Sequence, residues 1–194
     1  MSNIDPWWRD STHDEENRKF DKLSHSVTTI TEQHRLVHDG MYFIVSGKQT
    51  GLVNGGTTEF LVSPPADCFP HIQTMVLNFG RGDVDFEAYE GPTITDNGTP
   101  IPAQNVNRNS SITPELNLYA NPTTTDDGSQ EFQLWVPPTA TGTGQSANGI
   151  EGLGNANEWV LAPETPWLIR ITNNSGATID WSYQFAWYEV SYPS

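Results

Sequence analysis

From position 179 the chain alternates. Ile179, Trp181, Tyr183, Phe185 and Trp187 occupy every second position, with Asp180, Ser182, Gln184 and Ala186 between them. A period of two puts five large apolar side chains on one face of an extended strand, a pattern that no helical face collects. Such a face needs a second layer to cover it, so this stretch predicts a central core strand of a layered β-structure. Other segments read the same way. "TTEFLVS" (57–63) is a short strand stopped by Pro64-Pro65, and "PWLIRITN" joins the final strand through the turn Asn173-Asn174-Ser175-Gly176. "HIQTMVLNF" (71–79) sets Ile72, Thr74, Val76 and Asn78 against His71, Gln73, Met75, Leu77 and Phe79. In "DVDFEAYE" (83–90), Val84, Phe86 and Ala88 face one way, and Asp83, Asp85, Glu87 and Tyr89 the other. That is a half-buried strand.

A unit of strand, kink and turn occurs twice. Pro92-Thr93-Ile94-Thr95-Asp96-Asn97-Gly98-Thr99 recurs thirty residues later as Pro122-Thr123-Thr124-Thr125-Asp126-Asp127-Gly128-Ser129. Each copy trails a strand and carries an Asn-Gly or Asp-Gly turn signal, where glycine supplies positive φ. Two copies are too few for a solenoid and predict paired hairpins. Residues 137–158 form a long Gly-rich loop, of the kind that is functional or mobile in compact domains. Many short strands and turns, with no helical period after the start, predict an all-β chain. The expected architecture is a jelly-roll-like antiparallel β-sandwich with an N-terminal arm.

The arm covers residues 1–25 and the sandwich domain residues 26–194. Ser11-Thr12 followed by Asp14, Glu15 and Glu16 has the form of a helix start, through Leu23. The segment reads either as a tail or as an arm docked on a neighbour, because Trp7 and Trp8 are costly to leave in water. It has no apolar core for a signal peptide, and no stretch of the chain approaches 18 apolar residues. A soluble protein is expected.

Charge narrows the partners. The chain carries 24 acidic against 9 basic residues, a net charge of −15. Neither nucleic acid nor an anionic membrane is an expected partner of such a surface. The one cysteine, Cys68, cannot form an intrachain disulfide and reads as a small apolar residue.

Candidate chemistry is sparse, and no catalytic set, cofactor or metal site is expected. His34 and His38 are four apart, a chelating spacing on a helix. Ser26–Ile30 and Met41–Val45 read as strands, however, and Gly40 as a break, which makes the two histidines polar residues near a turn. Asp83, Asp85 and Glu87 offer oxygen ligands suited to Ca²⁺. Such a row is more often a solvated face or blunts an edge strand. Asp96 and Asp126-Asp127 lack the spacing of a calcium loop. The Gly-rich loop has no Lys-Ser/Thr to make it a phosphate loop. Arg81-Gly82-Asp83 is a tripeptide close to chance.

Three longer stretches carry a family resemblance. They are "TEQHRLVHDGMYFIVS", "FEAYEGPTITDNGTPIPAQNVNRNSS" and "LAPETPWLIRITNNSGATIDWSYQFAWYE". Together they resemble segments of tailed-bacteriophage virion proteins of the capsid (head) decoration or cement type, from about Val27 to Glu189. The loop 137–158 and the tryptophan-bearing arm depart from the pattern. The resemblance implies a jelly-roll-like domain, often a homotrimer, on the outside of the capsid and bound to the major capsid protein. It implies no enzyme. Such a virion component is made in the host bacterial cytoplasm. On this reading the arm residues Trp7, Trp8, Phe20 and Leu23 contact a neighbouring capsid subunit. A competing reading is a receptor- or glycan-binding module of a tail or head fibre, with Trp135 and Trp159, at the flanks of the long loop, as stacking platforms. A cupin-like enzyme would need a second His/carboxylate cluster, which the sequence lacks.

Overall fold

The computed structural model describes residues 18–20, 27–29, 31–80, 82–138 and 158–191. Along the chain these form β1 (Arg18–Phe20), β2 (Val27–Thr29), α1 (Glu32–Asp39), β3 (Tyr42–Leu52), β4 (Thr57–Ser63), β5 (Cys68–Phe79), β6 (Val84–Glu90) and β7 (Thr93–Asp96). Then follow β8 (Thr99–Pro100), β9 (Gln104–Asn105), β10 (Asn117–Ala120), β11 (Thr123–Asp126), β12 (Ser129–Val136), β13 (Trp159–Val160), β14 (Trp167–Asn173) and β15 (Ile179–Ser191).

Two antiparallel sheets make the body. One has the order β12-β6-β14-β4-β10-β8 and the other β13-β5-β15-β3-β9. The all-β sandwich expected from the alternation is therefore what forms. β15 lies at the centre of the second sheet, between β5 and β3. Its inward residues Ile179, Trp181, Phe185 and Trp187 are at most 3% exposed. They meet the other sheet through Phe60 of β4, whose ring centroid lies 5.8 Å from Trp181 and 5.9 Å from Phe185. Each large side chain buried in this way contributes about 1.5–3 kcal/mol, so this face is the main apolar support of the fold.

Four expectations are corrected. Residues 32–39 are a helix, not a turn between strands: the Thr31 hydroxyl accepts from His34 N, and Gly40 ends the helix in the left-handed conformation. In β5, Ile72 does not oppose Met75, Leu77 and Phe79. A register shift leaves Gln73 unpaired against β15, so all four apolar residues point inward. At the N-terminal end, Arg18–Phe20 is a strand paired with Val27–Thr29 rather than part of a helix. And β6 lies between β12 and β14, so of the two readings of its acidic row the edge strand is excluded.

The repeated units do not fold back on themselves. They exchange partners: β6 pairs with β12, β7 with β11 and β8 with β10. The registers match across the thirty-residue offset, Glu90 opposite Ser129 and Ala120 opposite Thr99. Thus the two units are related by a local twofold that brings β7 beside β11. The turns are also equivalent. Gly98 and Gly128 both have φ 86°, and their N–H groups donate to Asp96 Oδ1 and Asp126 Oδ1, each at 2.8 Å. A β-carbon on Gly98 would overlap the Ala120 carbonyl oxygen, and one on Gly128 the Glu90 carbonyl oxygen. The turn glycines are therefore needed for both their φ and their closeness to the partner unit.

The replacement Gly128→Ala combines a left-handed non-glycine residue with that overlap. We expect a loss of about 2–3 kcal/mol in urea unfolding. Ala at Gly91, which has open space around it, tests the φ effect alone and is expected to cost about 1 kcal/mol.

Candidate functional site

The three stretches singled out in the sequence meet at one corner of the sandwich. The first supplies α1 and the start of β3, the second β9 and the loop after it, and the third the end of β15. Asn105 Nδ2 donates to Gly40 O at 2.7 Å and to Ile112 O at 3.0 Å, closing the loop onto the helix end. Asn107 Nδ2 donates to His38 O at 2.9 Å, and Val106 N to Tyr42 O at 3.0 Å. Glu189 N donates to Met41 O. Leu36 of the helix is buried with Tyr42, Ala186 and Tyr188, so α1 covers the outward face of β15. Val106 and Ile112 remain exposed on the loop.

Glu189 is the buried charge of this corner. It is 4% exposed and follows Trp187 on the inward face of β15. Its carboxylate accepts from Glu115 N at 2.9 Å, Leu116 N at 3.0 Å and Trp187 Nε1 at 2.9 Å. Three donors aimed at one carboxylate make its burial tolerable and tie the segment entering β10 to β15. Cys68 lies opposite Ser191 at the end of β5 and is 1% exposed. Burial, and then the nearby Glu189 and Glu115 charges, push its thiol up to about 12. That is the opposite of what a nucleophile requires.

On the outer face of the other sheet a second polar group centres on Arg170 of β14. Its guanidinium donates to Glu59 Oε1 at 2.6 Å and to Asp127 Oδ2 at 2.8 Å, and lies 5.2 Å from the Tyr89 ring centroid. The hydrogen bond from Arg170 holds the Asp127 carboxyl below its ordinary value. Burial, followed by the neighbouring Glu87 charge, raises the Tyr89 hydroxyl. The arrangement links β4, β14 and the second turn unit, and offers no reactive group.

The other acidic candidates are also partnered. Asp83 is not on the strand face predicted for it: with φ 68° it sits in a left-handed turn before β6, and its Oδ1 accepts from Trp135 Nε1 at 3.0 Å. Asp85 accepts from Asn174. Asp96 and Asp126 serve their own turns. Among the described residues no three His, Cys, Asp or Glu side chains gather in a metal-holding group. Also among them, no helix is long and apolar enough to cross a membrane.

His34 and His38 lie together on the exposed side of α1, with Nε2 atoms 2.9 Å apart. Of the flanking tryptophans, Trp135 is 54% exposed, whereas Trp159 is packed against Phe132 and Trp167. Trp159 and Trp167 also line a small apolar cavity between the sheets. Trp7, Trp8 and Leu23 lie outside the described residues, as do Arg81 and positions 139–157 of the long loop; Phe20 is described only as part of the β1 backbone. The helix had a signal in the sequence, Thr31 and Gly40 at the two cap positions, but eight residues between strand-like runs obscured it. Glu189 had none, because an acid at the end of an alternating run reads as a surface residue.

Comparison with known proteins gave no match to any family model, any curated protein or any solved structure.

Two outcomes follow from the corner. Glu189→Ala leaves two buried donors, Leu116 N and Trp187 Nε1, and the part-buried Glu115 N without their acceptor, and is expected to lower stability by about 3 kcal/mol in chemical unfolding. The Cys68 thiol is expected not to react with a disulfide reagent at pH 8 in the native protein, and to react fully once the chain is unfolded in urea.

Proposed function

We propose that this protein is a bacteriophage capsid decoration or cement protein. On this reading it is a jelly-roll-type sandwich, a homotrimer, that binds the major capsid protein on the outer surface of the head. The observation that carries the reading is the corner just described. The three stretches resembling phage virion proteins are far apart in sequence, yet they hydrogen-bond to one another through Asn105, Asn107 and the backbone of Met41 and Glu189. A set of residues that resembles one family in three separate places, and forms one structural unit, supports a shared scaffold.

The net charge of −15 suits a protein that faces away from packaged DNA. The mechanism is mechanical. DNA inside a head presses the shell outward, and a clamp joining several subunits adds interface area and multivalency, raising the cost of opening. The arm residues Trp7, Trp8, Phe20 and Leu23 reach a neighbouring subunit, and copies of the sandwich meet at a threefold contact. No cofactor, nucleic acid, membrane or catalytic step is part of this function.

One observation favours a second reading, a receptor- or glycan-binding module. Trp135 presents an exposed indole on the edge strand β12, held by its hydrogen bond to Asp83. A fixed exposed aromatic face beside a carboxylate is a suitable sugar platform.

The test is co-sedimentation of the purified protein with phage heads that lack it, followed by cryo-EM. Saturable, symmetric density on the shell is expected, and the double variant Trp7→Ala/Trp8→Ala is expected to bind about tenfold or more weakly. No binding to shells, together with a glycan-array signal lost in Trp135→Ala, would replace the first reading with the second.

A further inference from the structure

The expectation that His34 and His38 bind no metal rested on the absence of a helix at residues 32–39, and the helix is present. Successive turns put residues four apart on the same face, so the two imidazoles are stacked along α1. Their ring centroids are 4.5 Å apart, with the planes tilted by 55°. Both side chains are exposed, and their Nε2 atoms converge to 2.9 Å. Two metal–nitrogen bonds of about 2.1 Å, at angles between a right angle and tetrahedral, place the nitrogens about 3.0–3.4 Å apart. A movement of a few tenths of an ångström brings the two nitrogens to chelating separation, and a turn of the two exposed rings aims both lone pairs at a common ion.

The helix is held at both ends and along one side. Thr31 caps its first turn and Gly40 its last. Arg35 bridges Glu32 and Asp39 along the helix, with 2.8 Å to Asp39 Oδ2. Asn107 clamps the His38 carbonyl, and Gln33 Nε2 donates to the Tyr42 hydroxyl at 3.1 Å. Leu36 anchors the opposite side in the cluster against β15. A rigid support of this kind reduces the ordering that two side chains would otherwise undergo on binding a common ion.

We propose that His34 and His38 form a two-imidazole site for a late first-row divalent ion, of the nickel, copper and zinc group. Paired neutral imidazoles suit these ions rather than Ca²⁺ or Mg²⁺, which take oxygen. Among the described residues no third His, Cys, Asp or Glu completes a group. The described residues thus supply two ligands, and the remaining positions of the ion are open to water or a further ligand. This site stands apart from the decoration reading and does not depend on it.

The test is isothermal titration of the full-length protein with NiCl₂ and ZnCl₂, against His34→Ala, His38→Ala and the double variant. The histidines are exposed, so the variants are expected to keep the wild-type circular dichroism spectrum and melting temperature without metal. The expected result is saturable binding with one ion per chain, weakened about tenfold or more by either single substitution. A metal-dependent rise in melting temperature is expected in the wild type and not in the double variant. Absence of saturable binding, or undiminished binding by the double variant, would overturn the proposal. In the first case the pair is only an N–H···N contact, and in the second the ion sits on other histidines.

Discussion

From Phe185 to Glu189, β15 is buried on both faces, and the remaining architecture depends on this. On one side Ile179, Trp181, Phe185 and Trp187 fill the space between the sheets. On the other, Ala186 and Tyr188 lie under α1. A strand with one aromatic face and two hydrogen-bonded neighbours has no register freedom, because a slip by one residue would bury Ser182 and Gln184 in place of the aromatic rings. The inward row ends in Glu189 rather than another hydrophobe. Its carboxylate accepts from the Trp187 indole and from two backbone N–H groups of the segment entering β10. The end of the core is thereby closed by a fully hydrogen-bonded acid, which fixes where β10 begins and so where the second repeat unit sits.

The exchanged pairing of the two repeat units explains why this chain tolerates so many short strands. Four-residue and two-residue strands have little stability as isolated hairpins. Here each strand of one unit is completed by a strand of the other, while β14 and β4 run between them. The local twofold is broken where Asp127 occupies the position that Asn97 holds in the first unit. Only the second turn thus offers a carboxylate to Arg170, which also holds Glu59. The second unit is in this way tied to the centre of the sheet by charge as well as by its strands.

The polar groups at the corner of α1, the loop after β9 and β15 tie these elements together. They are amides, backbone groups and the Glu189 carboxylate in mutual hydrogen bonds, beside a buried thiol. A fold of this type hosts many functions, so the functional reading rests on the resemblance of particular stretches and on their assembly into one unit, not on the sandwich alone. Two exposed features among the described residues are of a different kind. Trp135 and the histidine pair both project from regular elements that are firmly held on their other sides.

The sequence by itself determined the class of fold, the central strand and the places where the chain turns. These depend on local regularities, the period of two in β15 and β6 and the glycines of the two repeats. It did not show that the repeat units exchange strands, since a hairpin and an exchanged pair need the same turn residues and differ only in which distant strand is nearer. Nor did it show that Ile72 faces inward with Met75, because a bulge shifts the period by one and is set by the opposing strand. α1 and Glu189 were hidden for a related reason. The eight-residue helix packs Leu36 on β3 and the outer face of β15, and Glu189 is buried where two backbone N–H groups from a distant segment join the Trp187 indole on its carboxylate. Non-local contacts decided these features, and they exist only once the two sheets have closed on one another.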